Sequence, residues 1–199
     1  DAVSALIEAL QDQDTNVRCA VTFALAGMEA GAVDAVPALV EALQDQNANV
    51  RWDVAYALGR IGTGAVDAVP ALVKLLQDDD EVVRLSATGA LGEIGEDAVP
   101  ILIQVLQNEE LNVRAYVAWA LGKIGVPDAI KAIVRILPEL MQALQDPVAR
   151  GAAAGALGEI GKDAVPTLIQ ALQDTDPEIR AYATRALEVI GAGLVDAVP

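Results

Sequence analysis

The chain has 199 residues, with 29 acidic residues against 13 basic ones, no histidine and one cysteine, for a formal charge of −16. That balance argues against a nucleic-acid surface, which needs clustered Lys and Arg, and against anionic membranes. The missing histidine removes the commonest general base and metal ligand, and Cys19 alone makes neither an internal disulfide nor a thiolate zinc site.

In chain order, the segments repeat. The stretch Asp34-Ala35-Val36-Pro37-Ala38-Leu39-Val40-Glu41-Ala42-Leu43-Gln44-Asp45 recurs from Asp1, Asp67, Asp97 and Asp163 and restarts at Asp196, at intervals of 33, 33, 30, 66 and 33 residues. Such a period marks a stacked array of helix pairs. In each unit the first helix is expected to take the Asp as N-cap and the proline in its first turn, then to carry a Leu/Val/Ile stripe to Gln-Asp. The second helix opens on an arginine (Arg18, Arg51, Arg84, Arg114, Arg150, Arg180), continues through Ala-rich sequence, and closes on Ile-Gly with the glycine as a left-handed C-cap. No segment alternates with period two, so no strand is expected.

The interval of 66 hides one irregular unit. It begins at Asp128 and runs through Ile136-Leu137 to Pro138, which predicts a longer first helix, and its following turn is shorter: Asp146 reaches Arg150 in four steps where Asp45 reaches Arg51 in six.

On a wheel of 100° per residue, positions +3, +4, +7 and +10 from the arginine share an arc of about 120° and hold Val54, Ala55, Leu58, Ile61 and their equivalents. This is the expected buried stripe. Positions +1, +2, +5 and +9 lie opposite. All the aromatic residues occupy three of those offsets: Phe23, Tyr56 and Trp119 at +5, Trp52 at +1, Tyr116 and Tyr182 at +2. Rings withheld from an aliphatic core and placed on one outer stripe predict a contact surface, because Trp, Tyr and Arg concentrate binding energy.

The turns carry Asp12/Arg18, Asp45/Arg51, Asp78/Arg84 and Asp174/Arg180 at one spacing, which predicts a structural ladder of charge-assisted bonds between adjacent turns, weakened at Asn108/Arg114 and Asp146/Arg150. The acids of Asp78-Asp79-Asp80-Glu81 and Asn108-Glu109-Glu110 are expected to cap the next helix rather than bind calcium, since the twelve-residue loop spacing is missing. Gly59-Arg60-Ile61-Gly62 and its copies lack the Gly-Lys-Ser/Thr ending of a phosphate loop. No catalytic residue, cofactor or metal is assigned. Cys19 is read as a small filler and fits a reducing, cytoplasmic setting. Gln, Asp or Gly interrupts every apolar stretch, so no signal peptide or membrane-length run is expected.

Val-Arg opening the second helix, Ala-Leu-Gly-x-Ile-Gly closing it and Asp-Ala-Val-Pro starting the next unit resemble HEAT-like repeats, nearest to the short variety named for phycobilisome lyases, along the whole chain. The resemblance implies a single all-α domain over 1–199, a right-handed α-solenoid of about six two-helix repeats, with second helices on the concave side. In the artificial alpha-Rep proteins, similar to this chain, the positions matching +1, +2, +5 and +9 are varied. It therefore implies a non-enzymatic scaffold binding a protein partner across that face. Phe23, Trp52 and Tyr56 form one anchor cluster, Tyr116 and Trp119 a second, and Tyr182 stands at the far end; Asp53, Arg60, Glu93, Lys123, Glu159 and Arg185 set polarity around them. Relatives with chemistry fit less well: deoxyhypusine hydroxylases need His-Glu pairs for iron, and HEAT-type DNA glycosylases need a basic groove. A bilin-lyase-like subunit stays open, with rings and Arg60 or Arg185 receiving a tetrapyrrole, as does a purely structural or engineered array. The first residue is not Met and Asp196-Ala197-Val198-Pro199 reads as the start of another unit, which suggests a portion of a longer array whose end faces are open to self-stacking.

Overall fold

The computed structural model describes residues 2–108 and 110–196, with 108 and 192–196 by their backbone alone. The architecture is an α-solenoid of paired helices, and no strand occurs among the described residues. The helices group into two compact units, Asp1–Ile101 and Leu102–Pro199. The first holds α1 (Ala2–Ala9), α2 (Thr15–Met28), α3 (Val36–Ala42), α4 (Ala48–Ile61), α5 (Val69–Leu75) and α6 (Glu81–Ile94), and α7 (Val99–Asn108) runs through the boundary. The second continues with α8 (Leu111–Ile124), α9 (Pro127–Val134), α10 (Leu137–Ala143), α11 (Arg150–Ile160), α12 (Val165–Ala171) and α13 (Pro177–Asp196). Ala197–Pro199, expected to open a further repeat, lie outside the described residues.

The predicted stripe forms the core. Val54, Ala55, Leu58 and Ile61 of α4 are buried, as are Ala87, Thr88, Leu91 and Ile94 of α6 and Ala153, Ala154, Leu157 and Ile160 of α11. Small residues let the second helices approach closely: a β-carbon added at Gly59 would lie 3.0 Å from Ala90 Cα, and one at Gly122 would lie 2.4 Å from Glu159 Cβ. The first glycine of Ala-Leu-Gly-x-Ile-Gly thus serves helix contact where the unit closes.

The boundaries differ from the expectation in four places. The repeated Asp does not cap the first helix. A 3₁₀ turn (Glu29–Ala35, Gly62–Ala68, Gly95–Ala98 or Gly161–Ala164) carries the chain onward, and an alanine without a side-chain cap bond precedes α3, α5 and α12. The second glycine is required for its positive φ, yet Gly62 sits at φ 71°, ψ −135° and Gly161 at φ 75°, ψ −140°, outside the left-handed helical well; only Gly125, at φ 71°, ψ 3°, enters it. Where siblings have glycine, the first repeat has Glu29, held at φ 49°, ψ −129°. The irregular unit's long first helix is instead two helices, α9 and α10, broken at Ile136 (φ −106°, ψ 20°) ahead of Pro138, as the ring's bulk disfavours helix in the preceding residues. In the last repeat Ile190-Gly191 does not end the helix; α13 continues to Asp196.

The helical run Thr15–Ala42, which joins α2, a 3₁₀ turn and α3, is long and apolar enough by length and composition to cross a membrane, with mean hydropathy 1.5. The sequence predicts no such run, because Gly27, Glu29 and Asp34 interrupt it. Its Val21, Leu25, Ala32, Val36 and Leu39 are buried, and α2, the turn and α3 each pack on α4.

Candidate functional site

The turns between paired helices build one edge of each unit. The first acid of each turn accepts a backbone amide two residues on, as in Asn47 N to Asp45 Oδ1 (2.8 Å) and Asp80 N to Asp78 Oδ1 (2.9 Å). The residue two positions on then caps α2, α4 and α6, as where Asn49 N donates to Asn47 Oδ1 (2.9 Å) and Val82 N to Asp80 Oδ1 (2.8 Å). Before α8 the expected acidic cap does not form: Glu110 stands at the N-cap without a side-chain bond, as does Ala149 before α11. The opening arginine ties two turns. Arg18 Nη1 donates to Asp12 O of its own turn at 2.8 Å, while its Nε and Nη2 reach Asp45 Oδ2 and Oδ1 of the next at 2.6 and 3.0 Å. Arg51 repeats this with Asp45 O and Asp78. Partial burial works to raise the Asp45 and Asp78 carboxyls, but bonds from Arg18 or Arg51 and from the turn amides outweigh it and hold both below the ordinary range. The rung changes where the sequence departs: Arg150 pairs with Glu178 and lies 3.6 Å from Asp176, and Gln145 Nε2 takes Asp174 at 3.0 Å. The ladder is therefore structural, as its recurrence implies.

The second-helix face carries the predicted residues, and the two units treat them differently. In residues 1–101, Phe23 is 72% exposed, and Trp52 and Tyr56 are each 40% exposed. Trp52 and Tyr56, one helical turn apart, stack with centroids 6.2 Å apart and planes 13° off parallel. Asp53 is half-buried on the same helix as Trp52 and Tyr56 and close enough to Cys19 to act on its thiol. Burial first, and then Asp53, pushes the Cys19 thiol up to about 11. Arg60 is exposed but pairs with Glu29, and Glu93 leans toward Gly59, its carboxylate 3.0 Å from where a β-carbon would stand.

The rings of the second unit are engaged within it. Tyr116 is 2% exposed, its hydroxyl donating to Val148 O at 2.9 Å. Its expected place on an outward face is thereby corrected. The shortened turn before Arg150 and the added helix α10 cover the +1 and +2 offsets here: Ala115 and Ala152 are buried too. Trp119 is half-buried over Gly155, where an added β-carbon would come within 2.6 Å of the indole Cε2. The chain's own ring thus fills the space above Gly155. Tyr182 is half-buried with Arg185 over it at 5.8 Å, while Lys123, Glu159 and Arg185 are exposed. Gly89 in the first unit does leave open space, with nothing within 4 Å of an added β-carbon.

Sequence reasoning missed a hollow of about 250 Å³ beside Trp52, lined by Ala48, Asn49, Trp52, Asp80, Val82 and Val83. Val82 and Leu85 are exposed next to it. Val82 precedes the helix-opening arginine, outside the offsets that carry rings, and Leu85 fills the +1 offset of Trp52 with an aliphatic side chain. Among the described residues no group of acids and cysteine is placed to hold a metal.

Paired helices, the turn ladder and one aliphatic stripe per repeat define a helical-repeat scaffold. The model for HEAT repeats matches residues 3–92, 69–139 and 137–199, and the chain belongs to the HEAT-repeat family. No curated protein matches. Among solved structures it is similar to an engineered protein (29% identity, 97% of this chain and 98% of that one, TM-score 0.53) and to a second engineered protein (26%, 97% and 100%, TM-score 0.53). It is also similar to the complex of CpcE and CpcF of phycocyanin lyase from Nostoc sp. PCC7120 (26%, 95% and 77%, TM-score 0.56).

Proposed function

We propose that the chain is a non-catalytic scaffold that holds another protein on the second-helix face of residues 1–101, with Trp52 and Tyr56 as the central anchor and Phe23 beside them. The observation that carries this reading is the exposed Trp52–Tyr56 stack. Large rings cost solubility when exposed and return binding energy when covered. Asp53 and Glu93 give the face polarity and register, and the ladder of half-buried arginines holds its helices in place. Tyr116 and Trp119 belong to the support of the fold, which narrows the anchor to one cluster. The test is a displayed library of small protein domains selected without bias on the full chain. Binders should lose about tenfold or more in affinity to Trp52→Ala and Tyr56→Ala, at unchanged helicity, and nothing to Lys123→Ala. Binders indifferent to both ring substitutions would end the proposal.

A second reading, a bilin-lyase-like subunit or chromophore chaperone, is favoured by the 26% identity to the CpcE and CpcF complex over 95% of the chain. Its residues would be Tyr182 and Arg185, which border a small surface hollow with Glu178 and Ala181. Arg60 serves it less well, being neutralised by Glu29. Mixing the chain with a bilin should shift the pigment's absorbance and transfer it to an acceptor subunit; an unchanged spectrum removes this reading.

A further inference from the structure

We infer that the partner taken by this face presents a basic segment, with an arginine side chain entering the hollow between Trp52 and Asp80. The inference rests on the scaffold reading above and adds the partner's chemistry. Its first support is where charge lies. Residues 1–101 contain 17 acidic and 5 basic residues, a formal −12 of the chain's −16, whereas residues 102–199 contain 12 and 8. The exposed rings and most of the negative charge thus share one unit.

The second support is that four of the five cations of this unit are already committed, and the fifth lies on a first helix. Arg18 and Arg51 are held by Asp45 and Asp78, and Arg60 pairs with Glu29. Arg84 is buried and donates to Asp78 O and Asp79 O. Lys74 lies on α5, in the groove against α3. On the same face Asp53 lies by the Cys19 thiol, Asp80 accepts the Val82 amide and attracts Arg51 at longer range, and Glu93 lies beside Gly59; among the described ion pairs none closes on these three carboxylates, and a cationic partner would meet them.

The third is the shape and chemistry of the hollow. Its volume of about 250 Å³ suits one long side chain. Ala48, Val82 and Val83 offer apolar wall to an aliphatic stem, Trp52 offers a ring to a guanidinium, and Asp80 offers a carboxylate at the rim. An acidic partner would meet repulsion at Asp53, Asp80 and Glu93, and an uncharged one would leave them desolvated without compensation. Self-association of this face would set like charges against each other for the same reason.

The test uses the full chain and three fluorescein-labelled twelve-residue peptides of one scaffold, carrying four arginines, four citrullines or four glutamates. Fluorescence anisotropy should show the arginine peptide bound at least about tenfold more tightly than the citrulline one, with the glutamate peptide not bound. Raising salt should weaken it. Trp52→Ala should cost about fivefold or more without altering net charge, and Asp80→Asn, which removes one negative charge while keeping a competent helix cap, should cost as much. Trp119→Ala, in the other unit, should change the affinity less than twofold. Equal binding of the citrulline peptide, or an arginine-peptide affinity indifferent to Trp52→Ala, would overturn the inference, as would a dimer joined through Phe23 and Trp52 that excludes the peptide. The library-selected binders separate the two levels. If those still depend on Trp52 while the arginine peptide is ignored, the partner's chemistry is wrong and the face stands; if neither depends on it, both fall.

Discussion

Replacing Tyr116 and Trp52 by alanine in turn separates a ring that builds the fold from one that the fold displays. Tyr116 is 2% exposed and bonded through its hydroxyl to Val148 O. Removing a buried aromatic side chain costs about 3–5 kcal/mol, transfer and cavity together. Tyr116→Phe, which loses only the hydroxyl bond, should cost about 1 kcal/mol. Trp52 keeps 40% of its surface in water and stacks on Tyr56 of its own helix, a local contact that a denatured chain partly retains, so Trp52→Ala should cost only about 1–2 kcal/mol. Urea unfolding followed by far-ultraviolet circular dichroism measures both. Repeat arrays unfold in parts, so midpoints and slopes of the transition should be compared together. A Trp52→Ala loss equal to or greater than that of Tyr116→Ala would refute the assignment of Trp52 to the contact surface.

Other outcomes follow from the same geometry. Gly155→Ala places a methyl group 2.6 Å from the Trp119 indole and should destabilise by about 1–3 kcal/mol, despite alanine's better helix propensity, with a change in tryptophan fluorescence; in a Trp119→Ala background the penalty should vanish. At position 29, where the backbone takes φ 49° and other repeats have glycine, Glu29→Gly should be more stable than Glu29→Ala by about 1 kcal/mol, since both lose the Arg60 pair and only glycine relieves the strain. Asp45 and Asp78 hold fewer protons folded than unfolded, so the stability they add is complete above their ordinary range of about pH 4 and is lost as pH falls below it. Asp45→Asn with Asp78→Asn should therefore be less stable at neutral pH and flatten the acid limb of a melting-temperature profile; an acid limb as steep as before would contradict this.

The repeat, the aliphatic stripe and the turn ladder were legible because each recurs, and a recurring residue reports a need that every unit shares. Arg51 and Asp78 show it: the same pair at the same spacing makes the same bond as Arg18 and Asp45. The departures were less legible because they depend on what covers a position. The offset of Tyr116 is outward on an isolated helix, yet a four-step turn and α10 close over it. Trp119 shares the offset of Tyr56, and in both cases the next repeat has glycine at +5, Gly155 and Gly89; only Trp119 lies over its glycine, while nothing comes within 4 Å of a β-carbon at Gly89, a difference the repeat pattern does not carry. The first-helix Asp resembles an N-cap in sequence, while the 3₁₀ turn that includes it is set by the glycine before. Glu29 shows the reverse case, where the residue type hides a backbone conformation that only alignment to Gly62 and Gly161 reveals.

The claim that the ring cluster of residues 1–101 is the contact surface is tested most directly by oxidative footprinting of the full chain, free and bound to a library-selected protein partner. Trp52, Tyr56 and Phe23 should be oxidised readily in the free chain and protected in the complex, with Trp119 unchanged and Tyr116 protected in both states. Protection confined to Trp119, Tyr182 or the first-helix side, with Trp52 still reactive in the complex, would contradict it.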